Sequence, residues 1–192
     1  MSIVLHIKNM VCPRCIETVD RIFRESGFEV ESVKLGEVKV RPEPDAAQLE
    51  QLSEQLQQSG FELLTDRKSK IVGQVKSEII RLVHHNDKEF LQVNLSEHLS
   101  RLTGADYSAI STLFSSAEGI TIEKFTILQK IERVKELLSY GELTISEIAF
   151  KLGYSSNAHL SSQFKKITGM TPVQYKKGKN KERNSLDNIG SH

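Results

Sequence analysis

Two places in this chain hold residues whose types and spacing can do chemistry. Cys12 and Cys15 are its only cysteines, in a C-x-x-C spacing that lets two sulfurs converge on one ion or on each other. Soft thiolates select Cu(I), and also Zn(II), Cd(II) or Hg(II). Two of them suit near-linear Cu(I) and leave Zn(II) short of its usual ligands unless another residue contributes. Cys15 lies at a predicted helix start, where the helix dipole is expected to lower a thiol pKa. The second place is Gly141 to Tyr175, GELTISEIAFKLGYSSNAHLSSQFKKITGMTPVQY. Here a predicted helix sets a small, polar face (Asn157, Ala158, Ser161, Ser162, Lys165) beside an apolar stripe (Leu160, Phe164, Ile167). A helix built this way fits the DNA major groove.

The elements that must position the second set are written in capping and stop signals. Thr144 and Glu147 form a Thr-x-x-Glu capping box. Ile148 and Leu152 give that helix its apolar face, and Gly153 ends it. A helix from Ser156 to Thr168 follows, stopped by Gly169. Thr171-Pro172 then fits a cap and first-turn proline. The segments ISEIAFKLGY, from Ile145, and LSSQFKKITGMTPVQY, from Leu160, closely resemble the DNA-binding unit of AraC/XylS-family transcriptional regulators. The resemblance implies double-stranded DNA as a partner, with RNA polymerase beside it. By position, Asn157, Ala158, Ser161 and Ser162 match the family's base-facing sites. Asn157 can pair with adenine and Ala158 can touch a thymine methyl. His159, Gln163, Lys165 and Lys166 are candidates for phosphate or neighbouring contacts.

Upstream, Arg67–His84 reads as a helix ending in the solvated pair His84-His85. Asn94 and Asp106 are placed to cap the next two helices, and Thr121–Ser139 reads as a long connector. These resemble the first of the family's two helix-turn-helix units. That unit departs from the pattern: its Asp106–Ser116 helix holds no Lys or Arg and offers Tyr107, Ser108, Ser111 and Thr112. Hydroxyls can reach bases or phosphates but add no long-range attraction, so the second unit is the stronger reader.

The cysteines need a different scaffold. Ile3–Ile7 alternates as a strand, and Cys15–Glu25 carries Ile16, Val19, Ile22 and Phe23 at helical spacing. Phe28–Leu35 and Val38–Val40 read as strands around Gly36, Asp45 caps a helix bearing Leu49, Leu52 and Leu56, and Phe61–Leu64 closes the set. The order β-α-β-β-α-β is ferredoxin-like. Within it, Met10-Val11-Cys12-Pro13-Arg14-Cys15 and Ser59-Gly60-Phe61 resemble the heavy-metal-associated domain of copper chaperones and metal-pumping ATPases, over residues 2–64. Met10 reads as a core anchor for the loop. The family's Gly-Met loop start is Asn9-Met10 here. Cys12-Pro13-Arg14-Cys15 also matches the Cys-Pro-x-Cys of glutaredoxin-like oxidoreductases, so redox chemistry stays open for the pair. The later prolines of that fold have no counterpart, since Pro42 and Pro44 fall in a predicted loop.

Charge divides the chain the same way. Residues 1–66 carry 7 Lys+Arg against 12 Asp+Glu, and residues 67–192 carry 19 against 13. A basic second half suits phosphate contact; an acidic first half does not. No apolar run approaches the ~20 residues that cross a membrane, and no secretory signal is visible, so a cytoplasmic location is expected. There is no phosphate-cradling glycine loop and no Ser/His/Asp pattern, so no catalytic residues are assigned. The expected architecture has two domains: residues 1–66 as a ferredoxin-like α+β domain and residues 67–180 as an all-α domain with two helix-turn-helix units. Residues 181–192 read as a disordered tail. The expected function is a DNA-binding regulator responsive to Cu(I), or another soft ion, at Cys12 and Cys15. A redox-responsive regulator and a metal chaperone whose helical half binds a protein are the alternatives.

Overall fold

The structure, a computed structural model, describes residues 2–64, 67–85, 94–178 and Leu186. The expected tail, 181–192, lies outside the described residues apart from Leu186. Two compact units are distinguished: Met1–Glu78 with Leu102–Gly104, and Ile79–Arg101 with Ala105–His192.

In the first unit the chain runs β1 (Ile3–Lys8), α1 (Pro13–Glu25), β2 (Glu29–Lys34), β3 (Glu37–Arg41), α2 (Ala46–Gln58) and β4 (Glu62–Leu64). The strands form one antiparallel sheet in the order β2-β3-β1-β4. Alternation along β1 and β3 turns Leu5, Ile7, Val38 and Val40 to one side, because successive strand residues face opposite ways. There they meet Val19, Ile22 and Phe23 of α1 and Leu52 and Leu56 of α2 in a single core that includes Met10. The α2 start follows its sequence signal. Asp45 Oδ1 accepts from the Gln48 backbone N–H at 2.8 Å, and Gln48 Oε1 accepts from the Asp45 N–H at 2.9 Å.

The other side of the sheet, where His6 stands opposite Leu64, is occupied as well. Helix α3 (Arg67–Ile80) approaches it closely: a Cβ on Gly73 would lie 2.5 Å from Leu64 Cδ1. A Cβ on Gly36 would overlap the side chain of Ser77. Gly36 has a φ of +85°, as the tight link between β2 and β3 requires. Burial at this side pushes the His6 imidazole pKa down.

The second unit is helical. A π-helical turn, Arg81–His85, leads to α4 (Leu95–Thr103), α5 (Tyr107–Glu118), α6 (Ile122–Tyr140), α7 (Ile145–Lys151), α8 (Asn157–Thr168) and α9 (Pro172–Lys177). Helix α6 is buried on several sides, at Phe125, Gln129, Ile131, Val134 and Leu138, which marks it as the central helix. Its C-terminal half packs with Ile148 and Leu152 of α7, Leu160 and Phe164 of α8, and Tyr175 of α9. Edge-to-face ring pairs, Phe114–Phe125 at 5.6 Å and Phe164–Tyr175 at 5.5 Å, add geometric specificity.

Of the solvated end expected at His84-His85, His85 is exposed, and His84 is a correction. His84 is buried, and its Nε2 lies 2.9 Å from Gln129 Oε1. The wider π turn replaces the last α turn between the buried Leu82 and Val83, and a polar partner on α6 meets the ring. One expected cap also differs: Asp106 sits at the start of α5 without a side-chain cap bond. The Asn94 side chain accepts from the Ser96 hydroxyl at 2.8 Å. Among the described residues, no helix is long and apolar enough to cross a membrane.

Candidate nucleic-acid interface and cysteine loop

Helix α8 is fixed at both ends by its own sequence. Ser156 Oγ accepts from the His159 backbone N–H at 3.1 Å, and Gly169 closes the helix at a φ of +79°. The preceding helix, α7, starts on the Thr144–Glu147 capping box, in which Glu147 accepts from the Thr144 N–H at 2.7 Å. These two backbone N–H and hydroxyl partners hold the Glu147 carboxyl below its ordinary range. With Leu160 and Phe164 buried, Asn157, Ala158, Ser162, Lys165 and Lys166 stand exposed on α8, and Ser161 is half-buried.

The candidate residues on α8 separate into two sets. His159 and Gln163 are turned to Tyr154, in the turn before the helix. The Tyr154 hydroxyl donates to Gln163 Oε1 at 2.8 Å, and the His159 ring meets the Tyr154 ring edge-to-face at 5.3 Å. His159 Nδ1 also lies 3.1 Å from Ser155 Oγ. Lys130 Nζ stands 5.1 Å from the centre of the Tyr154 ring. Burial lowers the Lys130 ammonium pKa to about 8 and drives the Tyr154 phenol further from ionising. Lys130, Tyr154, His159 and Gln163 line a cavity of about 460 Å³ that also touches Tyr107 and Glu123. Asn157, by contrast, reaches back to α7, its Nδ2 donating to Ser146 Oγ at 2.6 Å.

On α5, Ser108 and Thr112 are exposed while Tyr107 and Ser111 are half-buried. The Thr112 hydroxyl donates to the Ser108 carbonyl at 3.0 Å. Burial first, and Glu123 second, push the Tyr107 phenol pKa up. No local pattern singles out Ser146, Tyr154 or Lys130, because each acts through a partner on another element.

The cysteine loop is tied at its base. Asn9 has a φ of +73°, and its Nδ2 donates to the Gly60 carbonyl at 3.0 Å. Met10 is buried in the core, as its reading as an anchor expects. Cys12 takes the N-cap position of α1 without a side-chain cap bond, and Pro13 opens the helix. Both thiols are half-buried, with their sulfurs 3.2 Å apart. The expected lowering of the Cys15 pKa is a correction: burial dominates and pushes the thiol up, against the backbone N–H of Val11.

The pair fits a soft two-coordinate ion in donor type and access. No group of three or more His, Cys, Asp or Glu side chains able to hold a metal occurs among the described residues. Cys12 and Cys15 would hold such an ion as thiolates, and their half-exposed side chains at the helix start leave the sulfurs open to it.

Residues 99–178 match the family described as "Helix-turn-helix domain". The chain is 36% identical over 118 residues to uncharacterized HTH-type transcriptional regulators of Staphylococcus aureus, in strains MSSA476 and MRSA252. That alignment covers 62% of this chain and 14% of theirs. It is 27% identical over 95 residues to the probable transcriptional regulator LumQ of Photobacterium leiognathi, covering 49% of this chain and 38% of that one. The chain thus spans well under half the length of these relatives. No solved structure matches. Residues 99–178 are thus similar to that family, and the chain is similar over part of its length to proteins named as transcriptional regulators.

Proposed function

We propose that this protein is a DNA-binding transcriptional regulator of the AraC/XylS type, and that a soft metal ion, Cu(I) foremost, binds Cys12 and Cys15 and changes its affinity for DNA. The observation that carries the DNA reading is the exposed, polar, lysine-ended face of α8 within a matched helix-turn-helix domain. A helix with one buried stripe and one small polar face enters the major groove, and its lysines neutralise backbone phosphates. The pairs α4–α5 and α7–α8 support two helix-turn-helix units. Because α5 lacks basic residues, α8 is the principal reader. RNA polymerase is the partner through which such a regulator acts.

The strand order β2-β3-β1-β4, with α1 and α2 on one face, supports the ferredoxin-like reading of the first unit. Two adjacent, accessible thiols on an anchored loop support metal binding. Regulation then requires that the ion bind two states of the protein with different affinity.

Sulfurs 3.2 Å apart also favour a second reading, in which the pair forms a disulfide and oxidation is the signal. One titration separates the two. The reduced full chain is titrated anaerobically with Cu(I) against a competing chelator, while its affinity for DNA from its own promoter region is followed, with Cys12→Ser/Cys15→Ser as control. A one-to-one complex that shifts DNA affinity only in the unmutated chain supports metal sensing. A shift on oxidation without metal supports the redox reading. DNA affinity that responds to neither sinks both.

A further inference from the structure

Asn157 is the first residue of α8, where a helix lying in the major groove brings its side chains to base edges. Its amide has two N–H donors and one carbonyl acceptor. One donor is engaged by Ser146 Oγ at 2.6 Å, across the turn on α7. That bond fixes the amide plane and leaves one N–H and the carbonyl unengaged by Ser146. Adenine offers the complementary pair in the major groove, an N7 acceptor and an N6 amino donor. Ser146 is itself exposed, the second residue of α7 after the Thr144 cap, and that capping box fixes its backbone.

Resting on the reading of α8 as the DNA reader, we infer that Ser146 is a positioning residue for base recognition. It holds the Asn157 amide so that its remaining donor and acceptor present an adenine-specific edge. A freely rotating asparagine loses rotamer freedom when it docks on a base, and it can swap its donor and acceptor ends to suit other bases. An amide already held loses less freedom and discriminates better. The bond spans two helices, so no local sequence pattern announces it.

The test uses the full chain and a random-sequence duplex DNA library, selecting bound sites with the wild type, Ser146→Ala, Ser146→Thr and Asn157→Ala. Urea unfolding of each variant confirms a folded protein. The wild type is expected to enrich a site with adenine at one position whose preference vanishes in Asn157→Ala. Ser146→Ala should lower discrimination at that same position by about threefold to tenfold while leaving the other positions unchanged. Ser146→Thr, which keeps the hydroxyl, should restore it. Ser146→Ala that weakens all sequences equally, or leaves the Asn157 position untouched, overturns the inference while DNA reading stands. So does Asn157→Ala with every preference intact. No enriched site for the wild type overturns the DNA reading and the inference with it.

Discussion

The hydroxyl of Tyr154 donates to Gln163 at 2.8 Å, fastening the turn before α8 to the second turn of that helix. Because Tyr154 is buried against Lys130 and His159 as well, it sets the pose of α8 on α6. Tyr154→Phe keeps the ring and removes the bond, at an expected cost of about 1 kcal/mol in urea unfolding. Tyr154→Ala also removes the ring and is expected to cost about 3 to 5 kcal/mol. Equal midpoints for wild type and Tyr154→Phe would show the bond to contribute nothing.

The lysines at the end of α8 carry a different expectation. Lys165 and Lys166 are exposed, and in the proposed DNA reading their contacts are to phosphate. Replacing either by alanine should weaken binding to every sequence alike and reduce the salt slope of log affinity by about 0.9. Binding measured at several salt concentrations checks this. A change in sequence preference at constant slope would make the lysine a base contact instead.

The turn at Gly36 combines two constraints. A side chain there meets a φ of +85° and the side chain of Ser77. Gly36→Ala should destabilise the protein by about 1 to 3 kcal/mol. Adding Ser77→Gly should recover the overlap term and leave the backbone term. Full recovery in the double variant would mean that the positive φ costs the alanine nothing.

Glu136 predicts an acid-side loss of stability. Its carboxyl is held below the ordinary carboxylate range chiefly by His84, then by Arg133 and Tyr140, against the opposing effect of burial. His84 Nδ1 lies 3.9 Å from the carboxylate, beyond hydrogen-bond reach, whereas Arg133 Nη1 at 2.7 Å makes a charge-assisted hydrogen bond. A depressed folded pKa gives stability that is present above the unfolded value, about 4.3, and is lost as pH falls below it. The melting temperature of the wild type should therefore fall more steeply below about pH 4.3 than that of Glu136→Gln. Parallel curves would remove Glu136 from the acid transition.

Metal binding at the cysteines should depend on pH with a defined sign. Burial raises the Cys15 pKa, so at neutral pH the thiol is protonated and the ion must displace that proton. Apparent Cu(I) affinity is expected to rise with pH, by up to about tenfold per unit for each proton released, and to level off above the thiol pKa. The same raised pKa means that folding is favoured below the ordinary thiol range and that this contribution is lost as pH climbs through the folded value. An affinity flat from about pH 6 to 9 would show that both thiols are already ionised.

Much of this was legible in the chain, and the gaps have physical causes. Asp45, Thr144 and Thr171 lie three residues before Gln48, Glu147 and Gln174, and each forms the cap its spacing announces. Such signals survive because both partners sit within one turn. Asp106 has the right residue type, yet its side chain does not cap, since residue type alone does not fix a rotamer. Polar residues with distant partners were misread. His84 is polar in sequence and buried in the structure because Gln129, far along the chain, receives it. The Cys15 pKa was misjudged for a related reason: a helix start is visible in sequence, but the depth of burial that outweighs it is not. The approach of α3 to the sheet is likewise hidden, since it depends on the missing side chain of Gly73 opposite Leu64.

The outermost strand of the sheet, β2, shifts register between Val30 and Ser32 and carries Glu29, Glu31 and Lys34. A kinked, charged border strand is a poor template for a neighbouring chain to extend, and β4 at the opposite border is only three residues long. The first unit is thereby guarded against strand-to-strand aggregation at both borders.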